Sequence, residues 1–291
     1  MKKWIQAARL RTLPLALSSI GMGGIVAWFD ARFSTPVFVM ACLTTISLQI
    51  LSNFANDYGD TQNGADLAGR VGPARSVQTG EITIPQMKTA IGIMIGLSLL
   101  LGITLLFIAF ESFTSPAFLS LFGVGLASIA AAYFYTAGKN PYGYAGLGDL
   151  SVFLFFGLVG VAGSYFLFTQ TLSDTIWLPA MANGFLATGV LNLNNIRDIA
   201  SDQRAGKRTI PTRLGATKAK AYHIVLLVGA MASLWLYHQT LPNHTPWFVL
   251  MYPIFFVNVL QVYRLPNPDP LLKQLSLSTL GVVLLFWLGG F

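Results

Sequence analysis

Charged residues are scarce in this chain. Only 10% of its 291 residues are Asp, Glu, Lys or Arg, whereas about a quarter is typical of a soluble protein. Hydrophobic residues make up 54% of the sequence, and the mean hydropathy is +0.62. This composition excludes a soluble two-domain enzyme and predicts an integral membrane protein whose chain crosses the bilayer many times.

Cysteine and histidine are nearly absent, which removes several kinds of chemistry. Cys42 is the one cysteine, so no internal disulfide can form, and its apolar neighbours predict a small buried side chain. The histidines, His223, His238 and His244, are scattered and form no His–Cys zinc set. The sequence shows no Ser-His-Asp arrangement and no Walker-type phosphate loop. Zinc, thiol and triad mechanisms are therefore not predicted.

Basic residues outnumber acidic ones, 18 to 11, for a net charge of +7. Such an excess can indicate nucleic-acid binding, but here it follows membrane topology. Nine apolar stretches have the length of a spanning helix; they lie at 13–29, 36–56, 87–109, 116–135, 148–168, 175–197, 220–238, 246–263 and 271–290. With these spans, all basic residues except Arg32 fall on one side. The positive-inside rule then predicts a cytoplasmic N-terminus, an outside C-terminus and no nucleic-acid partner.

Five acidic residues lie in two clusters, each of which ends an apolar stretch. The first cluster contains Asn56, Asp57, Asp60 and Asp66, and the second contains Asn194, Asp198 and Asp202. In both, an aspartate follows an asparagine by four residues, so the side chains share one face if each helix continues. Acids at the mouth of a membrane helix are costly and usually mark function. We therefore expect an all-α bundle of about nine transmembrane helices with two pseudo-repeated acidic motifs at cytoplasmic ends.

The chemistry of these clusters suits a metal-bound phosphate. Carboxylate and amide oxygens are the ligands that Mg²⁺ prefers, and substrate phosphates often complete its coordination. The predicted metal ligands are Asp57, Asp60, Asp66, Asp198 and Asp202. Basic residues that can neutralise phosphate oxygens stand nearby in the sequence; they are Arg70, Arg75, Lys139, Arg197, Lys207 and Arg208. A metal, a basic ring and an apolar bundle together predict a lipid diphosphate substrate.

The motifs resemble those of the UbiA superfamily of intramembrane prenyltransferases, whose members carry Asn-x-x-x-Asp-x-x-x-Asp and Asp-x-x-x-Asp motifs. The second motif is intact here, but the first departs from the pattern. Gly64 stands four residues after Asp60, and the next acid is Asp66. This longer spacing is similar to the branch of the superfamily that prenylates 1,4-dihydroxy-2-naphthoate in menaquinone biosynthesis.

Three further segments resemble the same branch. They are Arg11-Thr12-Leu13-Pro14, the loop from Tyr135-Thr136 to Gly148-Asp149, and Gly206-Lys207-Arg208-Thr209 with Arg213-Leu214-Gly215. Each segment is short, but together and in order they are specific. The resemblance covers nearly the whole chain and implies a single transmembrane prenyltransferase domain over residues 1–291 in a bacterial cytoplasmic membrane.

The resemblance also implies a reaction. Mg²⁺ held by both clusters binds a polyprenyl diphosphate, and Asp60, Asp198 and Lys139 are the catalytic residues, with Lys139 helping the diphosphate to leave. The ring of 1,4-dihydroxy-2-naphthoate attacks the allylic carbon, and loss of the carboxylate as CO₂ and of a proton gives demethylmenaquinone in its reduced, hydroquinone form. The implied substrate-binding residues are Asn56, Asn194, Arg11, Arg70, Arg197, Lys207, Arg208 and Tyr135.

Other functions stay open at this point. One is a related enzyme of the same superfamily that uses 4-hydroxybenzoate, haem or a glycerol lipid as acceptor. Another is a transporter of cations or organic ions, because intramembrane acids serve transporters too; a structural scaffold would not need two matched acidic clusters. The position of both clusters at one end, with no acid in the middle of another span, favours the enzyme.

Overall fold

Helices make up the regular structure of the described part of the chain, which is residues 1–64, 72 and 75–291 of a computed structural model. Within these residues no strand occurs. The all-α prediction is therefore confirmed. Asp66 and Arg70, predicted as a metal ligand and a substrate-binding residue, lie outside the described residues.

The first half of the chain contains four long helices with proline in the first turn. Its helices are α1 (Lys2–Ala8), a 3-10 turn (Leu10–Thr12), α2 (Leu13–Phe29), α3 (Thr35–Gln62), α4 (Ile84–Phe110) and α5 (Pro116–Phe134). Proline stands in the first turn of α2, α3, α4 and α5, where its missing N–H would have no partner in the helix anyway. The sequence thereby fixes where four helices start.

The second half contains a wide, π-helical stretch. Its helices are α6 (Gly148–Val152), the π-helical segment (Phe153–Gly163), α7 (Ser164–Thr169), α8 (Trp177–Arg197), α9 (Ile199–Arg204), α10 (Ile210–His238), a 3-10 turn (Trp247–Met251), α11 (Tyr252–Arg264) and α12 (Asp269–Leu288). A Cβ at Gly157 would lie 2.6 Å from the carbonyl oxygen of Ala180. The π-helical segment therefore packs directly on the backbone of α8.

Eight helices of the described chain are long and apolar enough to cross a membrane. They match eight of the nine predicted spans. The remaining one, predicted at 175–197, is helix α8, whose four asparagines make it less apolar. Most of α8 is buried, and it packs on α10, α12 and the π-helical segment. Because amides inside a membrane bundle face protein rather than lipid, α8 is the central helix of this multi-pass membrane protein.

Three clusters of buried hydrophobic residues build the core of the described chain, and the smallest lies between α2, α3, α4, α5 and α7 around Ala41 and Leu105. Each of the other two belongs to a larger group of packed helices. The larger group is α2, the π-helical segment, α8, α10 and α12, with fully buried Met22, Leu186, Leu227 and Phe286. The smaller group is α1, α3 and α4, with Leu51 and Met87 at its centre. Residues from both groups line one large cavity. The fold thus places the ends of α3 and α8, which carry the two acidic clusters, at the same space.

Candidate active site

A cavity of about 480 Å³ has one polar end and an apolar body. The charged residues that line its polar end include Asp60, Asp198, Asp202, Arg75 and Lys207. The body is lined by apolar and small residues, among them Leu105, Leu106, Leu121, Phe155, Phe156 and Gly160. Leu105 and Leu106 belong to the last turns of α4, so the cavity runs along much of the length of the bundle.

Asp60, near the end of α3, is the most heavily engaged acid. Its side chain is 3% exposed. The Tyr144 hydroxyl donates a hydrogen bond to Oδ1 at 2.7 Å, and Lys207 Nζ lies 2.8 Å from the same oxygen. The guanidinium of Arg75 pairs with Oδ2. A buried carboxylate is stable only with such partners, so three separate segments converge on this one side chain.

Asp57, one turn earlier on α3, faces away from the cavity. Its two oxygens accept hydrogen bonds from the backbone N–H groups of Ser76 at 3.2 Å and Val77 at 3.4 Å. It is buried and does not line the cavity. Asp57 thereby anchors the loop that brings Arg75 to Asp60. Both of its oxygens therefore bind the backbone of that loop and not a group in the cavity.

Asn56 does line the cavity. Its Oδ1 accepts a hydrogen bond from the Thr136 hydroxyl at 3.0 Å, and its backbone carbonyl accepts one from Arg75. Thr136 also donates to the backbone carbonyl of Ala55 at 3.2 Å. These bonds tie the end of α3 to the loop after α5, which carries Tyr135.

The second acidic cluster is bent rather than straight. Helix α8 ends at Arg197, and Asp198 has φ −98° and ψ 8° before α9 begins. The N–H groups of Asp198 and Asp202 still donate to carbonyls four residues back, at 3.1 and 2.8 Å. The expected continuous stripe is therefore interrupted by a local turn, yet Asn194, Asp198 and Asp202 all line the cavity.

Arg197 stabilises this bend from the side that faces away from the cavity. Its Nε lies 2.8 Å from Asp198 Oδ1, and its Nη2 lies 2.7 Å from Oδ2. The same Nη2 donates to Asn194 Oδ1 at 2.8 Å, and Nη1 reaches Asp269 Oδ1 at 2.5 Å. The side chain is 1% exposed and does not line the cavity. Arg197, predicted to bind substrate, is thus bonded to protein oxygens in this structure.

Lys207 connects the two clusters. Its Nζ lies 2.8 Å from Asp60 Oδ1, 3.6 Å from Asp202 Oδ1 and 4.6 Å from the centre of the Tyr144 ring. Asp60 and Asp202 belong to helices far apart in the sequence, and a single ammonium group bridges them. The two acidic motifs therefore meet at one place.

The other predicted site residues divide into two sets. Arg11 and Tyr135 line the cavity, and Arg11 Nη1 lies 3.5 Å from Asp269 Oδ2. Lys139 is exposed and lines a separate depression of about 370 Å³ that shares Tyr144 with the cavity. Arg208 is exposed, and its backbone N–H donates to the Tyr144 carbonyl at 2.9 Å. The structure brings neither Lys139 nor Arg208 into the cavity.

Two tyrosines in the cavity wall keep their protons. Burial raises the pKa of the Tyr135 phenol well above its usual range, and the charge of Asp149 raises it further. Burial also raises the pKa of Tyr142, although a hydrogen bond from Ser151 opposes the shift. A Cβ at Gly148 would lie 2.7 Å from the Tyr135 hydroxyl. Both phenols are therefore neutral hydrogen-bonding groups, and glycine at 148 makes room for one of them.

The donor set suits a hard divalent cation, although basic side chains neutralise it in this structure. Across residues 1–64, 72 and 75–291, no three Asp, Glu, His or Cys side chains are grouped closely enough to hold a metal ion. The carboxylates of Asp60, Asp198 and Asp202 nevertheless line one cavity with the amides of Asn56 and Asn194. Hard oxygen donors of this kind are those of Mg²⁺ sites that substrate phosphates complete.

The fold and this site define a class: a helical membrane protein whose cavity joins an acidic and basic mouth to an apolar body. The model of the UbiA prenyltransferase family matches residues 16–288. The chain belongs to this family, and the resemblance stated from its motifs is confirmed.

Characterised relatives and solved structures agree with this assignment. The chain is 44% identical to the 1,4-dihydroxy-2-naphthoate octaprenyltransferase of Haemophilus influenzae, over 99% of this chain and 96% of that one. It is 42% identical to the Escherichia coli enzyme of the same name, over 99% and 94%. A UbiA homolog from Aeropyrum pernix shares the fold with a TM-score of 0.68 at 16% identity, covering 96% of both chains. An Archaeoglobus fulgidus homolog bound to GPP and Mg²⁺ gives 0.66 at 17%, covering 99% and 98%.

Sequence reasoning missed two residues of this site. Tyr144 lies within one of the segments that resemble the family, and nothing in the sequence indicates that its hydroxyl reaches Asp60. Asp269 is an isolated acid at the start of α12, with no repeat or spacing to connect it to Arg197. Both residues can be recognised only from the three-dimensional structure, because their partners are more than 70 residues away in the sequence.

Proposed function

We propose that the protein transfers a polyprenyl group from a polyprenyl diphosphate to 1,4-dihydroxy-2-naphthoate, with loss of the acceptor's carboxylate. The reaction is Mg²⁺-dependent and belongs to menaquinone biosynthesis. The observation that carries the proposal is that two acidic clusters and an apolar channel share a single cavity. Relatives from three bacterial species at 38 to 44% identity, all named for this activity, support it.

The polar end of the cavity binds the diphosphate. Asp60, Asp198 and Asp202 would hold the cation together with the amide oxygens of Asn56 and Asn194. When bound, Mg²⁺ would neutralise charge on the phosphate oxygens and so improve the diphosphate as a leaving group.

The basic residues at this end can bind the diphosphate as well as Asp60. Lys207 and Arg75 pair with Asp60 in this structure. Both can turn to phosphate oxygens, because ammonium and guanidinium groups bind phosphate as they bind carboxylate. They then stabilise the charge that collects on the departing diphosphate.

The apolar body of the cavity takes the prenyl chain. Its walls exclude water from the allylic carbon, which becomes electron-poor as the bond to the diphosphate lengthens. A Cβ at Gly160 would lie 2.8 Å from the Cβ of Ser19. A larger residue at 160 would therefore push into a wall that both residues line.

The acceptor enters at the mouth. Arg11 lines the cavity with its side chain 45% exposed, and a guanidinium there can bind the acceptor's carboxylate. The neutral phenols of Tyr135 and Tyr142 lie in the same wall and can orient the naphthoate ring. In a bacterial cytoplasmic membrane with the N-terminus inside, this mouth faces the cytoplasm, where a water-soluble acceptor is available.

Product mass tests the proposal. Purified protein is incubated with Mg²⁺, a polyprenyl diphosphate and either 1,4-dihydroxy-2-naphthoate or 4-hydroxybenzoate, and the lipid products are analysed by mass spectrometry after oxidation in air. We expect demethylmenaquinone from the naphthoate and release of its carboxyl carbon as CO₂. A product that keeps the carboxylate, a preference for 4-hydroxybenzoate, or ion uptake into proteoliposomes without prenyl transfer would each contradict the proposal.

A further inference from the structure

Asp269 joins Arg11, which lines the cavity, to the buried Arg197 behind it. It is the first residue of α12, and its side chain is 31% exposed. Its Oδ1 lies 2.5 Å from Arg197 Nη1, and its Oδ2 lies 3.5 Å from Arg11 Nη1. It does not line the cavity itself. Any effect of Asp269 on the site therefore passes through these two side chains.

The two ion pairs of Asp269 are not explained by its place at the start of a helix. An acid in the first turn of a helix is favoured by the helix dipole alone, and that effect needs no arginine partner. Here one oxygen faces Arg197 and the other faces Arg11, although the three residues come from the two ends and the middle of the chain. The segment carrying Arg11 is also tied to α12 by Ser276, whose hydroxyl donates to the Arg11 carbonyl at 3.4 Å.

Arg197 is shared between two carboxylates. Its Nε and Nη2 face Asp198, and its Nη1 faces Asp269. A buried arginine beside Asp198 opposes the binding of a cation there, because like charges repel strongly where water is excluded. The negative charge of Asp269, which pairs with Nη1, counters that repulsion without displacing Asp198 from Nε and Nη2.

We propose that Asp269 is a positioning residue that offsets the positive charge of Arg197, so that Asp198, which pairs with Nε and Nη2 of the same guanidinium, can bind a divalent cation. The inference rests on the metal-dependent function proposed above. Side chains that act through a metal ligand in this way typically change metal affinity by about 10- to 100-fold. We therefore expect loss of the Asp269 charge to weaken divalent-cation binding by about tenfold.

A purely structural role predicts something different. If Asp269 only ties α12 to α8, its loss lowers thermal stability and leaves cation affinity unchanged. Binding measured directly, without turnover, separates these possibilities. Isothermal titration of MgCl₂ and MnCl₂ into the detergent-purified full chain is the readout, with the melting temperature recorded for each variant.

Four variants complete the test. Asp269→Asn removes the charge at nearly constant size, and Asp269→Glu keeps it. The double variant Asp269→Asn with Arg197→Gln removes the competing arginine as well. The control is Asp174→Asn, which removes an exposed carboxylate from the loop before α8.

We expect Asp269→Asn to raise the cation Kd about tenfold, Asp269→Glu and Asp174→Asn to stay near wild type, and the double variant to recover affinity relative to Asp269→Asn. The inference is overturned if Asp269→Asn binds as tightly as wild type, if Asp269→Glu is as weak as Asp269→Asn, or if removing Arg197 restores nothing. Failure of the wild-type chain to bind either cation, both alone and with inorganic diphosphate present, would instead refute the metal-dependent function itself, so the two failures are distinguishable.

Discussion

Lys207 and Lys139 are two candidates for the lysine that assists departure of the diphosphate. The structure favours Lys207, and the resemblance to the family favours Lys139. Both are single lysines in loops near Tyr144, but only Lys207 lies in the cavity, 2.8 Å from Asp60. Lys139 is exposed in the neighbouring depression. The perturbation is Lys207→Met, which keeps the length of the side chain and removes its charge, with Lys139→Met as the matched control.

The magnitude follows from the burial of each lysine. Lys207 is 13% exposed, and a hydrogen bond to a charged group in such a place contributes about 1.5 to 3 kcal/mol. At about 1.4 kcal/mol for each factor of ten, kcat/KM for the prenyl diphosphate should fall by about 10- to 150-fold in Lys207→Met. An ion pair at an exposed lysine contributes about 1 kcal/mol or less, so Lys139→Met should lose no more than about fivefold.

The assay is release of inorganic diphosphate at saturating naphthoate, with the prenyl diphosphate varied. Arg75 still neutralises Asp60 in Lys207→Met, so the variant should fold, and its melting temperature checks this. The reasoning is refuted if Lys139→Met loses as much activity as Lys207→Met, or if Lys207→Met retains wild-type kcat/KM. The first of these results would restore Lys139 as the catalytic lysine expected from the resemblance.

Three further predictions follow from the placement of individual residues. Arg11→Ala should raise the KM for the naphthoate about tenfold or more through loss of a charge-assisted bond, and an unaltered acceptor KM would show that Arg11 serves only topology or the tie to Asp269. Asp57→Asn should lower the free energy of unfolding by about 1 to 3 kcal/mol, since two backbone N–H groups lose a charged acceptor, while cation affinity measured by calorimetry stays unchanged; a large loss of cation affinity would return Asp57 to the metal set. A reporter fused after Phe291 should lie outside the cytoplasm and one within residues 66–84 inside; the reverse result would overturn the orientation.

Much of the fold could be predicted from the sequence because the bilayer imposes a simple rule. A spanning helix needs about 20 apolar residues, and all nine predicted stretches are helices in the structure. Helix α8 is also predicted from its length, although its four asparagines make it less apolar. Those amides face the bundle interior, as in the bond from Asn192 to the Ala219 carbonyl at 3.0 Å.

The two acidic clusters can also be predicted from the sequence, because a repeated spacing of Asn and Asp is a local pattern. The residues that contact each cluster in the folded protein cannot be predicted in this way. Asp57 shares the first cluster with Asp60 but points to the backbone of the next loop, since residues three apart on a helix differ by about 60° in direction. The bend at Asp198 is not predicted because the partner that holds Arg197 beside it, Asp269, lies on the distant helix α12. A short-range sequence pattern indicates which charged residues are costly to bury. The partners that neutralise those charges are visible only in the folded structure.

The central claim is that the two acidic clusters form one cation-dependent diphosphate site. It is tested most directly by kcat/KM for the prenyl diphosphate in Asp60→Asn, Asp198→Asn and the double variant, each titrated with Mg²⁺ and checked for folding by melting temperature. Residues that act as a unit are strongly non-additive. We predict that each single change abolishes most activity, that the double variant is little worse than either, and that a chelator reduces wild type to the same level. Losses that multiply in the double variant, or activity that persists without a divalent cation, would contradict the account.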